Sequence, residues 1–187
     1  HPDAAPLKVS VNLSVRQFQE PDLVDQVSDT LGVTGFPAGD LVLEITESVF
    51  LNDSPSTLAT IEGLKALGVT IAIDDFGTGY SSLSYLRRFP IDVLKIDRSF
   101  IDGIDRGVED AALARAIVQI GENLNLRIVA EGIETPEQLH EVRRLGCHEG
   151  QGFFLGTPLD HEALRDLVAS GATTTDWLDG AALETVA

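Results

Sequence analysis

Basic residues are scarce in this chain: 13 lysines and arginines stand against 30 aspartates and glutamates, a formal charge of -17 over 187 residues. That balance excludes a broad basic surface for a nucleic-acid polymer or an acidic membrane. An anionic ligand is compatible only where metal ions or local basic groups offset the field. No apolar run approaches the roughly 20 residues of a membrane-spanning helix, and no signal-peptide pattern opens the chain. Cys147 is the single cysteine, which excludes an internal disulfide and suits a reducing compartment. Methionine is absent altogether, so His1 is not a natural start and a longer or processed parent is expected. No glycine-rich dinucleotide fingerprint follows the first strand-like stretch. The remainder is ordinary for a globular protein, 43% hydrophobic and 23% charged.

Apolar patterning predicts six strands, at Lys8–Ser14, Leu41–Glu47, Val69–Asp74, Asp92–Asp97, Leu126–Glu131 and Gly150–Leu155. Helices are predicted between and after them, over Pro21–Leu31, Ser54–Leu67, Ser81–Arg88, Asp110–Leu124, Thr135–Gly146 and Asp160–Ser170. Strict alternation implies parallel strands joined by crossover helices. A parallel barrel closes with eight such units in about 250 residues. The expected fold is therefore α/β, a TIM-like (β/α)8 barrel whose six C-terminal units occupy residues 1–170, with the first two strands upstream of His1. An open doubly wound sheet is the competing architecture. Residues 171–187 read as a C-terminal tail without assigned function: Gly171–Thr175 as a linker, Trp177 and Leu178 as candidates to pack back.

The stretch from Ile71 to Ser82 organises the rest. A β-branched strand stops in two adjacent carboxylates, Asp74 and Asp75, and a glycine-rich loop follows. Adjacent acids repel, and burial raises that cost, so a cation is the natural compensation. The other strands carry polar groups at the same end: Asn12, Glu44 with Glu47, Lys95 with Asp97, Glu131 with Glu134, and Gln151. Any one of these could be a helix cap or a satisfied core polar group. Together they mark the rim where parallel barrels place active sites. Oxygen donors without a His or Cys set suit Mg²⁺ or Mn²⁺, and the acids suffice for two ions. Lys95, lone in an apolar strand, has two open readings: an ion pair with the acids, or a group that orients or deprotonates a water. Two metals and an oriented water are an apparatus for in-line attack on a phosphodiester.

Asn12-Leu-Ser14, Leu43-Glu-Ile-Thr-Glu-Ser48, Asp74-Asp-Phe-Gly-Thr-Gly-Tyr-Ser-Ser82, Leu94-Lys-Ile-Asp97, Ala130-Glu-Gly-Ile-Glu134 and Gln151-Gly-Phe153 resemble, in that order, the EAL-domain family of bacterial cyclic di-GMP phosphodiesterases. The resemblance implies a TIM-like barrel with an antiparallel first strand, Mg²⁺- or Mn²⁺-dependent hydrolysis of cyclic di-GMP to linear pGpG, and frequent dimerisation. It implies Asn12, Glu44 and Asp74 as ligands of one metal, and Asp74, Asp75 and Glu131 as those of a second. It implies Lys95, Glu131 and Gln151 as catalytic groups and Glu134 as a supporting acid. Glu47 would anchor the loop that runs from Phe76 through Gly77, Thr78 and Gly79 on the substrate side. An upstream GGDEF or sensory domain and a cytoplasmic location, or the cytoplasmic part of a membrane-anchored parent, are expected with it. One departure stands out: the Glu-Ala-Leu motif, and the phosphate-binding Arg just after it, have no counterpart in these residues. The competing reading is a module of this type that binds cyclic di-GMP, or pairs with another domain, without turnover. A generic barrel hydrolase is the third.

Overall fold

The structure, a computed structural model, describes residues 7–50, 54–78, 84–105, 108–170 and 184–185. Gly79, the first turn of the helix expected from Ser81, the linker at Gly171–Thr175, Trp177 and Leu178 lie outside the described residues. The strands are β1 (Val9–Leu13), β2 (Leu41–Thr46), β3 (Thr70–Phe76), β4 (Val93–Ile96), β5 (Arg127–Ala130) and β6 (Glu149–Gly150). Helices α2 (Leu23–Thr34), α3 (Pro55–Ala66), α4 (Ser84–Arg88), α6 (Val108–Asn123), α7 (Pro136–Leu145) and α8 (His161–Ser170) follow them in turn. Two short helices, α1 (Val15–Phe18) and α5 (Arg98–Ile101), fill the turns after β1 and β4. Every neighbouring pair is parallel and spatial order equals chain order, so the sheet curls into a half-barrel. The tail contributes a short seventh strand, β7 (Glu184–Thr185), parallel to β6.

Local chemistry sets the helix ends. Ser54 Oγ accepts the N–H of Thr57 at 3.2 Å, and Pro55 opens α3. Thr135 and Gln138 form a reciprocal capping box at the start of α7, and Gly146, in the left-handed region at φ 95°, ends it.

Side chains alternate across each strand. Leu43, Ile45, Ile71, Ile73, Leu94, Ile96, Ile128 and Ala130 face the helices and form one core with them. Burying each such Ile or Leu contributes about 1.5–3 kcal/mol. The intervening Val42, Ala72, Val93 and Val129 form a separate small apolar layer on the inner face. At the next inward position of these strands stand Glu44, Asp74, Lys95 and Glu131. The period-two rhythm thus repeats one inward step, apolar then charged, on four successive strands. It delivers the charged residues side by side at the C-terminal rim.

Two expectations need correction. The strand expected at Gly150–Leu155 stops after Gly150. A Cβ at Gly152 would lie 2.1 Å from the Ile133 carbonyl oxygen, so the chain passes hard against the loop after β5. There the Phe154 N–H donates to Ile133 O at 3.0 Å, and those of Leu155 and Gly156 donate back to Gly152 O at 3.0 and 3.1 Å. A turn replaces the ladder. Phe76, expected on a substrate-side loop, is instead the last residue of β3 and lies 2% exposed in the core.

Candidate active site

Consecutive residues of a regular strand point to opposite faces, which would put Asp74 and Asp75 on different sides of the sheet. A bulge prevents this. The register of β3 against β4 shifts between Ile73 and Phe76, and Asp75 adopts a left-handed φ of 53°. That conformation costs a non-glycine residue about 1–2 kcal/mol. It is held by Thr78, whose N–H and Oγ1 donate to Asp75 O at 3.3 and 2.9 Å. As a result Asp74, Asp75 and Glu131 each offer a carboxylate oxygen within 4.8 Å of the others. Gly77 then turns the chain at φ 97°, where a Cβ would meet the Phe100 ring at 2.8 Å, so only glycine fits.

Lys95 is the centre. It is 5% exposed, and its Nζ lies 2.6 Å from Glu44 Oε2, 2.8 Å from Asp74 Oδ1 and 2.6 Å from Glu131 Oε1. All three ammonium donors have carboxylate partners. Burial alone pulls the Lys95 pKa down. Hydrogen bonds to Asp74 and Glu131, the Glu131 charge and the bond to Glu44 outweigh burial, and the net shift is upward. Of the two readings open from sequence, these side chains as they stand form the ion pair. Burial raises the Glu131 carboxyl, with Lys95 opposing and Asp74 and Glu44 adding. Burial, then the charges of Asp74 and Asp97, raises that of Asp75.

Four carboxylates around one ammonium leave the rim short of positive charge. Asn12, at the same end of β1, reaches the same acids. Its amide nitrogen donates to Asp74 Oδ2 at 3.3 Å and to Glu44 Oε2 at 3.2 Å. The donor set therefore fits a hard divalent cation. Asn12, Glu44 and Asp74 form one group, Asp74, Asp75 and Glu131 another, and Asp74 is common to both.

The remaining candidates sit around this cluster. Glu47 is buried, and its Oε2 accepts the Gly77 N–H at 3.4 Å. Gln151 is exposed just past β6, its backbone held by Ala130 O at 2.8 Å and Ile133 N at 3.0 Å. Thr78 is exposed in the turn after β3. Glu134 pairs with Arg98 Nη2 at 2.8 Å and is not among the converging acids. Asp97 caps α5, accepting from Ser99 N at 3.0 Å. Sequence reading missed Arg98, which crosses so close to Gly132 that a Cβ there would lie 2.4 Å from its Cγ. Its position directly after Asp97 was the available signal. It also missed Tyr85, for which no local signal existed.

The sequence model of one family, described as EAL domain, matches residues 1–158. The chain is 49% identical over 161 residues to the bifunctional diguanylate cyclase/cyclic di-GMP phosphodiesterase MucR of Pseudomonas aeruginosa, covering 86% of this chain and 24% of that protein. It is 43% identical over 162 residues to the cyclic di-GMP phosphodiesterase NbdA of the same organism, covering 87% and 21%. Among solved structures, the EAL domain of Mycobacterium smegmatis DcpA superposes with a TM-score of 0.84 at 39% identity, over 89% of this chain and 74% of that one. The PaMucR phosphodiesterase in complex with c-di-GMP gives 0.80 at 49% identity, over 84% and 64%. The manganese/c-di-GMP complex of Klebsiella pneumoniae BlrP1 at pH 9.0 gives 0.75 at 31% identity, over 81% and 39%. The chain spans about a quarter or less of the length of these two curated relatives.

Proposed function

Because the chain belongs to the EAL-domain family, we propose that it carries most of the active site of a metal-dependent phosphodiesterase that hydrolyses cyclic di-GMP to linear pGpG. The observation that supports this most is the convergence of Asn12, Glu44, Asp74, Asp75 and Glu131 around Lys95 at the rim. Solved relatives named as c-di-GMP complexes, one of them with manganese, support the substrate and the metal class. Asn12, Glu44 and Asp74 would hold one Mg²⁺ or Mn²⁺ ion, and Asp74, Asp75 and Glu131 a second. When bound, such ions supply Lewis-acid polarisation of a phosphoryl oxygen and neutralise its charge. Lys95 holds a proton and donates; its proposed part is to orient the attacking water and to steady charge building on the phosphate. Glu131 and Gln151 flank the same mouth, where Glu131 can accept a proton and Gln151 can position water or substrate. Glu47 holds the Gly77 turn beneath them. The reading extends to a homodimer, to a cyclase-type domain elsewhere in the parent, as MucR's name records for that relative, and to the cytoplasmic side of the cell.

Incubation of the chain with cyclic di-GMP and Mn²⁺, followed by chromatography, tests the reading. The expected result is pGpG that disappears with chelator. If no product forms, the assay should be repeated on the full-length product of its gene. Binding without turnover even then would replace the enzyme with a sensing module.

A further inference from the structure

Glu47 is 5% exposed, yet it stands outside the Lys95 cluster. One carboxylate oxygen, Oε2, accepts the Gly77 N–H, while Oε1 is buried without a hydrogen-bond partner. The Tyr85 hydroxyl is a second buried atom in the same condition. The two orphans are neighbours: burial first, then the Glu47 charge and a side-chain hydrogen-bonding approach of Glu47, drive the Tyr85 phenol upward in pKa, while the strict geometry of a hydrogen bond is not met in this conformation. The surrounding packing holds them there. Phe50 closes the single turn that begins at Glu47, its N–H donating to Glu47 O at 3.0 Å. The Tyr85 ring stacks on Phe50 with centroids 5.2 Å apart and planes 13° from parallel, and Phe89 meets Phe50 edge-on at 5.2 Å. Helix α4 is thereby clamped to the end of β2.

We propose that Tyr85 is a positioning residue for the metal-binding rim: its hydroxyl donates to Glu47 Oε1, directly or through one water, and so fixes the carboxylate that holds the Gly77 turn and the left-handed Asp75 before it. The inference rests on the metal-site reading above, and deepens it by assigning a support for the Asp74–Asp75 bulge that lies on a different element. A buried carboxylate with a single donor can swing; with two it is fixed in orientation. The path runs Tyr85, Glu47, Gly77, Phe76, Asp75: a hydrogen bond joins Glu47 to Gly77, and the chain itself runs back through Phe76 to Asp75.

Tyr85→Phe removes the hydroxyl and keeps the ring stack. Mn²⁺ binding measured by calorimetry without nucleotide should weaken about fivefold, the scale of one lost hydrogen bond of ordinary strength. The melting temperature should hold within about 2 °C. The Gly77 amide should exchange faster with solvent. Glu47→Gln should weaken Mn²⁺ binding too, and the two substitutions together should cost less than their sum, because they break one path. Unchanged Mn²⁺ affinity, or a loss of melting temperature without a loss of affinity, would reduce Tyr85 to packing and overturn the proposal. So would fully additive effects. A chain that binds Mn²⁺ and responds to Tyr85→Phe but makes no pGpG would sink the hydrolase reading alone. A wild-type chain that binds no Mn²⁺ would sink both.

Discussion

At the N-terminal ends of the strands, Lys65 Nζ lies 2.8 and 2.6 Å from the two oxygens of Asp92, whose Oδ2 also accepts the Ile71 N–H at 2.8 Å. Arg127 pairs with Glu149 at 2.9 Å, and His148 Nδ1 accepts the Ile128 N–H at 3.1 Å. At the C-terminal ends of the same strands, Lys95 serves three acids, a fourth stands beside them, and Asp75 is held in a left-handed conformation. The lower end matches charges one to one and ties them to backbone groups. The upper end gathers like charges and leaves them undercompensated. The first arrangement lowers the energy of the folded chain; the second raises it and is sustained by the core between them. Residues that conflict with one another where everything else agrees are expected at a binding site.

This contrast can be broken most severely at Lys95. Lys95→Ala should lower hydrolysis about a thousandfold, since it removes the one donor among the acids. Cyclic di-GMP binding should persist. Turnover close to wild type would remove Lys95 from the reaction. The matching change at the other end is Asp92→Ala. It leaves the Lys65 ammonium only the Val69 carbonyl and strands the Ile71 N–H, so stability should fall by about 2 kcal/mol and Tm by about 4–8 °C. Mn²⁺ affinity should not move; a parallel loss of affinity would show that the two ends are not separate in function.

A smaller effect sharpens the comparison through pH. Asp75 and Glu131 are raised above ordinary carboxylates in the folded chain, chiefly by burial. Folded chain therefore keeps protons there that unfolded chain releases. Their contribution to metal-free stability is present in full below the ordinary carboxylate range and is lost as pH rises through their raised values. Thermal melts in chelator should show a modest gain as pH falls from neutral toward that range. Mn²⁺ affinity, measured by titration over the same interval, should decline, because the ion competes with those protons. An affinity flat with pH down to the ordinary carboxylate range would contradict the raised values.

Much of this was legible in the residues because strand alternation is simple. Val42 and Glu44, Ala72 and Asp74, Val93 and Lys95, and Val129 and Glu131 repeat one inward step, and the eye can align them without a structure. The elements that defied reading depend on contacts distant in sequence. Nothing near Gly152 announces that Ile133 will press against it and end β6. Phe76 follows two acids and precedes a glycine, which looks like a loop, yet the bulge turns it into the core. Asp97 serves twice, capping α5 at Ser99 while its charge still acts on Asp75. Tyr85 and Glu47 meet only through the packing of Phe50.

The ammonium of Lys95 also bears on the order in which this molecule is assembled. A ring of acids that needed its ions in order to form would tie folding to metal supply, and chelation would then act as a denaturant. Here a tethered cation already occupies the centre of the ring, 2.6–2.8 Å from three of its acids. If the ring takes ions as proposed, loading is an exchange of partners at Lys95, and unloading returns the acids to their resident counter-charge.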